Sequence, residues 1–154
     1  MKAAADQLAP ILTELYQTSL NTGVVPQDWK DAHVVPLSKK DERHLVSNYR
    51  PVSVTSITCK VMEHIVHSSV MGHFDRNTIL TNAQHGFRKK RACESQLIVT
   101  IHDIASKLEV DIILLDFAKA FDKVPHHRLL HKLEYYGVNP KTNRWIRLFL
   151  ENRM

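Results

Sequence analysis

The stretch from Asp111 to His127 reads DIILLDFAKAFDKVPHH. Its four consecutive apolar residues, 112–115, are too few for a helix and rich in branched side chains, so they predict a short strand buried on both faces. Asp116 follows directly, where its carboxylate can reach a substrate while the backbone stays anchored. Such a carboxylate can hold a metal ion, or it can simply begin a turn or cap a helix.

A second unusual stretch, Gln84 to Leu97, reads QHGFRKKRACESQL. Gly86 permits a tight or left-handed turn. Four cations follow Phe87, namely Arg88, Lys89, Lys90 and Arg91. A helix is predicted next, with apolar residues spaced for burial at Leu97, Ile98, Ile101, Ile104 and Leu108. Positive charge at the start of a helix opposes its macrodipole, so an external anion explains the basic run better than helix stability does. A solvated basic patch is the alternative.

Two short strands are predicted around a polar loop, residues 32–37 and 48–54 with the loop at 38–47. Pro36 and Pro51 indicate edge strands. The cations near the tip or along one face are Lys39, Lys40, Arg43 and Arg50. They suit a triphosphate clamp because guanidinium offers forked donors and lysine a mobile point charge. The alternative is again a solvated charged loop.

The remaining segments predict helices, which makes the fold class α+β and helix-rich. A first helix over residues 3–20 is expected to be interrupted or split by Pro10 and to stop at Gly23. Trp29 is predicted to be a packing anchor. Three further helices are predicted over residues 56–72, from about His126 to Gly137, and after Pro140, the last with Arg144, Arg147 and Arg153 on an exposed face.

Composition fits one modest domain with a basic balance of charge. The 154 residues carry 21 basic and 16 acidic side chains, a formal charge of +5, and 44% hydrophobic content. This balance allows a nucleic-acid partner without requiring one. Neither a membrane span nor a secretory leader is visible. Cys59 and Cys93 lie far apart without a CxxC motif, so two reduced thiols in an intracellular protein, nuclear or cytoplasmic, are expected.

The run from Asp116 to His126, DFAKAFDKVPH, closely resembles the first catalytic motif of reverse transcriptases of non-LTR, LINE-type retrotransposons, including the jockey-like groups. The resemblance implies that Asp116 is a catalytic residue and a ligand of the two Mg²⁺ ions. It implies that Phe121 is the gate under the sugar of the incoming nucleotide, and that Asp122 is a structural acid. Two hard cations with oxygen ligands can activate a primer 3′-hydroxyl and stabilise the leaving pyrophosphate.

The other blocks resemble the same family in the same order. VPLSKK followed by NYRPVS is similar to the fingers motifs, which implies that Lys39 and Arg50 contact the incoming deoxynucleoside triphosphate, with Lys40 as the reserve for Lys39. The QHGFR block implies contact with the RNA template through Gln84, Gly86, Phe87 and Arg88, with residues 88–91 along the phosphate backbone. The implied architecture is a partial right-hand polymerase, with fingers in residues 1–109 and the start of the palm in 110–154.

The sequence also departs from the family. It contains no Asp-Asp pair, and neither the Pro-Gln-Gly segment nor the Ala-Asp-Asp hairpin with the other metal-binding carboxylates is recognisable. The expectation is therefore part of an RNA-directed DNA polymerase that extends a DNA primer on an RNA template, with this chain inactive by itself. A non-catalytic nucleic-acid-binding remnant is the alternative, and an unrelated basic scaffolding domain is the third interpretation. Exposed apolar surface and self-association are expected.

Overall fold

The computed structural model describes residues 4–39, 42–107, 109–151 and 153. Its helices and strands are, in chain order, α1 (Ala5–Thr22), α2 (Gln27–Lys30), β1 (His33–Ser38), β2 (Tyr49–Val54), α3 (Ile57–Arg76), α4 (Cys93–Ala105), α5 (His126–Tyr135) and α6 (Pro140–Leu150). The described chain is thus α+β and helix-rich, as predicted. None of its helices is long and apolar enough to cross a membrane.

The chain divides into two compact units. The first unit comprises the residues up to Gly72 together with those from Pro125 onward, and the second unit is residues 73–124. The predicted division into fingers and palm between residues 109 and 110 stays a prediction.

The core of the first unit is built around aromatic residues from distant parts of the chain. Trp145 is 2% exposed, its ring stacks on Phe149 at 4.9 Å between centroids, and its Nε1 donates to Ser19 Oγ at 2.9 Å. Tyr16 donates its hydroxyl to Thr58 O at 3.0 Å. Trp29 is buried, which confirms its prediction as an anchor. The full cluster is Tyr16, Trp29, Cys59, Met62, Val66, Trp145 and Phe149.

Helix α1 corrects one prediction and confirms another. The helix runs through Pro10 without interruption. Pro10 lies near the exposed start of the helix and removes one backbone hydrogen bond there. The free energy lost with that bond is smaller than the free energy gained from the burial of Tyr16 and Ser19 further along the helix. Gly23 ends the helix at φ 78°, and its N–H donates to Ser19 O. This is the left-handed cap that a glycine accommodates.

The later helices of the first unit follow their sequence signals closely. Ser56 Oγ accepts the Cys59 N–H at 3.2 Å and caps α3, and Gly137, at φ 74°, follows α5. The structure differs from the prediction that Arg153 lies on an exposed face. Its Nη2 donates to Glu63 Oε1 at 3.0 Å, and its guanidinium lies 4.3 Å above the Phe149 ring. The aromatic face and the carboxylate together hold this cation against the unit.

The hairpin is confirmed. Strands β1 and β2 pair antiparallel, with His33 opposite Val54 and Pro36 opposite Pro51. They form a two-stranded sheet, so both strands are edges. This accommodates the two prolines, which cannot donate to a ladder.

Two predictions of burial in the second unit are wrong. Helix α4 forms, but Leu97 and Ile98 are more than half exposed and α4 buries no residue; Leu108 lies outside the described residues. Residues 112–115 belong to no strand or helix, and Leu114 is 91% exposed. The periodicity of a segment identifies an apolar face, whereas burial also needs a neighbouring element, and a strand needs a ladder partner. Apart from α4 and the end of α3, the described second unit contains turns and segments without regular secondary structure.

Candidate nucleic-acid interface

Arg88 is held inside the second unit. Its Nη1 donates to Thr81 O at 3.0 Å and to Leu80 O at 3.5 Å, and its Nη2 lies 3.5 Å from Asp75 Oδ1. Its side chain is only 17% exposed. Because the guanidinium satisfies two carbonyls and a carboxylate, it fixes residues 80–81 against the end of α3.

Arg91 does the same for the next residue of that loop. Its Nη2 donates to Asn82 Oδ1 at 3.0 Å, and its Nη1 donates to Asn82 O. Together the two arginines of the basic run bind the loop 80–82. The two lysines between them, Lys89 and Lys90, are exposed.

His85 ties the same block to the start of α4. Its Nδ1 lies 2.7 Å from Ser95 Oγ, which also donates to Ala92 O at 2.8 Å and accepts the Ala92 N–H at 3.0 Å. Since the hydroxyl proton goes to Ala92 O, Nδ1 of His85 is the donor in this arrangement. The basic run therefore leads into a helix whose first turn is anchored by side chains.

The turn at residues 86–87 differs in detail from the prediction. The tight turn forms, but its left-handed residue is Phe87, at φ 58°, while Gly86 has no positive φ. Gln84 Nε2 donates to Gly86 O at 3.2 Å across this turn. A Cβ added to Gly86 would meet nothing within 4 Å, so glycine is not required there by the chain's own packing.

Phe87 meets Phe121, the predicted sugar gate. The two rings lie edge to face, with centroids 5.8 Å apart at 85°. Phe121 belongs to the turn at residues 118–123, in which the Lys123 N–H donates to Lys119 O at 3.1 Å. The structure thus brings one residue of the template block next to one residue of the metal motif.

Asp116 lies in the exposed segment without regular secondary structure, two residues before this turn begins at residue 118. Within the described residues, no three His, Cys, Asp or Glu side chains come together so that they could hold a metal ion. The described residues therefore do not fit a complete metal site, and Asp116 would be one ligand among others. The Asp122 side chain is exposed as well, and its structural role stays a prediction.

Lys39 and Arg50 lie in the first unit, on the hairpin. Leu37 is opposite Arg50, and the Lys39 N–H donates to Asn48 O at 2.6 Å, which extends the ladder by one residue. Since side chains alternate along a strand, Lys39 shares a face with Leu37 and hence with Arg50. This is the arrangement that a two-cation clamp needs. Lys40, the reserve for Lys39, lies outside the described residues.

Sequence reasoning missed the partners that hold the basic run in place. Asp75, Asn82 and Ser95 each bind a residue of the QHGFR block or its basic extension, yet they lie up to 13 residues away from it with no distinctive spacing. The start of α4 offered one signal, because a serine three residues after Ala92 stands where a capping side chain is placed.

The comparison with known families decides what these blocks are. The sequence profile of the family described as "Reverse transcriptase (RNA-dependent DNA polymerase)" matches residues 37–154, which include the hairpin from Leu37 onward, the basic run and the Asp116 motif. The chain belongs to the reverse transcriptase family. The resemblance inferred from the motifs is therefore confirmed.

Curated relatives of this reverse transcriptase chain come from non-LTR elements. It is 27% identical over 153 residues to the RNA-directed DNA polymerase from mobile element jockey of Drosophila melanogaster, covering 96% of this chain and 17% of that protein. It is 26% identical to a probable RNA-directed DNA polymerase from transposon BS of the same fly, covering 99% of this chain and 17% of that protein.

A third relative is more distant, and all three are much longer. The chain is 24% identical to a retrovirus-related Pol polyprotein from type-1 retrotransposable element R2 of Popillia japonica, covering 84% of this chain and 18% of that protein. The chain thus spans about one sixth of the length of these relatives. No solved structure matches it significantly.

Proposed function

We propose that this chain is the fingers and the first part of the palm of an RNA-directed DNA polymerase of a non-LTR retrotransposon. The observation that supports this best is the family match over residues 37–154, which contains the hairpin, the template block and the Asp116 motif in order. In this proposal the complete polymerase adds deoxynucleotides to a DNA primer on an RNA template, and its site of action is intracellular, in the nucleus or cytoplasm.

The template block contributes electrostatic binding. Residues 88–91 carry four positive charges and no acid. Since Arg88 and Arg91 are engaged with the loop 80–82, we assign the phosphates to Lys89 and Lys90 and give the two arginines the task of shaping the turn. Gln84, Gly86 and Phe87 remain the proposed contacts to the template itself. Gly86 has open space at its Cβ position, which suits close approach of a nucleic-acid backbone.

Asp116 is proposed as one metal ligand, and Lys39 with Arg50 as the clamp on the triphosphate. Reverse transcriptases depend on a divalent metal, and we propose Mg²⁺, which takes carboxylate and phosphate oxygens. When bound, it would polarise the phosphate and lower the pKa of the attacking hydroxyl. Because the described residues supply no complete site, we expect no primer extension by the 154-residue polypeptide alone.

The proposed template binding is tested with a labelled RNA-template/DNA-primer duplex, which is titrated with the purified chain across a salt series. We expect affinity to fall steeply with salt. Lys89→Ala with Lys90→Ala should reduce the slope of log affinity against log salt by about one to two. The matched control, Lys60→Ala with Lys132→Ala, removes the same charge from exposed positions of the first unit and should leave the slope unchanged.

The Asp116→Asn variant separates the proposed metal binding from the proposed template binding. It should bind primer-template as the unchanged chain does, because its proposed role is metal binding. Absence of salt-dependent binding by the unchanged chain would overturn the template-binding proposal. Primer extension by the nuclease-free polypeptide would overturn the expectation that it is inactive by itself. Binding without extension also fits a non-catalytic nucleic-acid-binding remnant, the second candidate, which the exposed Lys89 and Lys90 of the basic run support equally.

A further inference from the structure

The hairpin β1–β2 is a short sheet with two outer edges, neither of which pairs with a further strand of the described chain. Every residue of β1 is exposed, as are all residues of β2 after the first. One face of the hairpin carries four exposed apolar side chains, namely Val35, Leu37, Val52 and Val54. Exposed edges rich in β-branched residues are ready templates for an added strand, from another copy or from another protein.

The two prolines of the hairpin stand directly opposite each other, Pro36 on β1 and Pro51 on β2. Their orientation follows from the end of the ladder, where Lys39 and Asn48 continue the register and the Lys39 N–H donates to Asn48 O at 2.6 Å. Hydrogen-bonded and non-hydrogen-bonded pairs alternate along an antiparallel ladder. Since Pro36 lies three residues before Lys39, the proline pair is non-hydrogen-bonded, and the backbone nitrogens of both prolines point to the outer edges.

Each proline therefore occupies the middle of an outer edge. The outward positions are 34, 36 and 38 on β1 and 49, 51 and 53 on β2. Proline has no N–H at the central position, and its ring fills the space in which the carbonyl of an added strand would accept that bond. On β2 the Tyr49 N–H already donates to Val46 O, which leaves Ser53 as the outward donor of that edge in the described chain. An added strand would thus lack its central bond on either side.

We propose that Pro36 and Pro51 act as a paired edge block, which prevents the hairpin from accepting a third strand on either side. Both prolines are needed, because a two-stranded sheet has two edges and each proline protects only its own. The hairpin therefore stays two-stranded although its edges and its apolar face are exposed. This inference is independent of the proposed function, since it concerns the backbone of the hairpin and not the binding of nucleic acid or nucleotide.

The test is strand addition between copies of the chain, followed by sedimentation velocity and thioflavin T fluorescence at equal protein concentrations. Pro36→Val with Pro51→Val restores an outward N–H on both edges and removes both rings. With two open edges, copies can add without limit, so we expect large assemblies and thioflavin T fluorescence about ten-fold or more above that of the unchanged chain. Either single variant opens one edge, which two copies close by pairing with each other, so it should stop at a dimer.

Two controls separate the edge block from a change in composition. Val34→Pro with Pro36→Val keeps the composition of the chain and moves the proline to another outward position of β1, so it should associate no more than the unchanged chain. Ser53→Val adds an exposed valine at a position that already has an N–H, and it should also leave association unchanged. None of these residues belongs to the buried core, so the melting temperatures of all variants should equal that of the unchanged chain.

Three outcomes would overturn the edge block. The first is a double proline variant that keeps the size and the thioflavin T fluorescence of the unchanged chain. The second is a Val34→Pro with Pro36→Val variant, or a Ser53→Val variant, that associates as strongly as Pro36→Val alone, since the position of the proline would then not matter. The third is equal association of every variant and of the unchanged chain, since association would then not depend on the edges. Binding of primer-template is measured separately, so the two proposals can fail independently.

Discussion

The two units place different residues at their left-handed backbone positions. In the first unit these positions belong to Gly23 and Gly137, each of which follows a helix. In the second unit, the described residues with positive φ are Thr78, Phe87, Lys90 and Lys119, and none is glycine. A non-glycine residue there costs roughly 1–2 kcal/mol. The left-handed positions of the first unit are thus occupied without strain, whereas those of the second unit carry side chains and are strained.

Burial divides the units in the same way. Every buried apolar residue of the described chain lies in the first unit, from Tyr16 to Phe149. The second unit exposes the apolar faces of α4 and of residues 112–115. It also carries the template block and Asp116. The template block and Asp116 are therefore carried by the unit that is less supported by apolar packing within the described chain.

The largest effect should come from the first core. Trp145→Ala removes a ring that is 2% exposed and stacked on Phe149, and it leaves Ser19 Oγ without its donor. We expect a loss of about 3–5 kcal/mol in the free energy of unfolding. Leu114→Ala, at a side chain that is 91% exposed, should change it by less than about 0.5 kcal/mol. Urea denaturation followed by circular dichroism measures both, and similar losses would remove the contrast between the units.

A smaller effect is expected where glycine is required. Gly23→Ala would force a Cβ into the left-handed region and to 2.9 Å from Leu148 Cδ1. A loss of about 1–3 kcal/mol is expected. Gly86→Ala is the matched control, since its Cβ meets nothing within 4 Å and its φ is not positive. Thermal melts of the two variants should therefore differ, and a Gly86→Ala chain as destabilised as Gly23→Ala would show that the two glycines are not distinguished by their surroundings.

The features of the two units that the sequence could predict are those set by local signals. The helix ends at Gly23 and Gly137, the hairpin and the anchor Trp29 were predictable, because caps, turns and large apolar side chains act locally. Burial of α4 and of residues 112–115 was not, because it depends on which element lies alongside. The same limit applies to the candidate site. The basic run was visible, but its division into bound arginines and exposed lysines depends on Asp75 and Asn82, whose positions only the folded chain gives.

Alkaline pH should weaken the first unit. Burial, and next the charge of Glu63, raise the pKa of the Cys59 thiol, while burial and then Cys59 raise the pKa of the Tyr16 hydroxyl. The folded state therefore holds protons that the unfolded state releases. The contribution of the thiol is fully present below its unfolded pKa of about 8.5 and is lost as pH rises towards its folded pKa, whereas that of the hydroxyl is lost only above about pH 10. Each loss has a slope of at most about 1.4 kcal/mol per pH unit.

Denaturation at pH 7 and at steps up to pH 10 measures this slope. Thiol labelling gives a second measurement, because Cys93 is exposed and Cys59 is buried. Cys93 should react at once, and Cys59 only at the rate of opening of its unit, which should increase with pH. Stability that stays constant from pH 7 to 10, with Cys59 as reactive as Cys93, would contradict the burial of this thiol.

The smallest effect should have the opposite sign. Lys90→Gly relieves a left-handed lysine, at φ 60°, and we expect the second unit to gain about 0.5–1 kcal/mol, since glycine loses more entropy on folding and offsets part of the relief. Hydrogen exchange of the α4 amides measures the stability of this unit. Lys89→Gly is the control, because Lys89 has no positive φ, and it should give no gain. Both variants should bind nucleic acid less well, because each removes a lysine that we assign to phosphate. If Lys90→Gly gains stability and loses binding, the strained turn is kept for the lysine side chain. If Lys90→Gly loses stability, the lysine contributes to folding, and the contrast with Gly23 is removed.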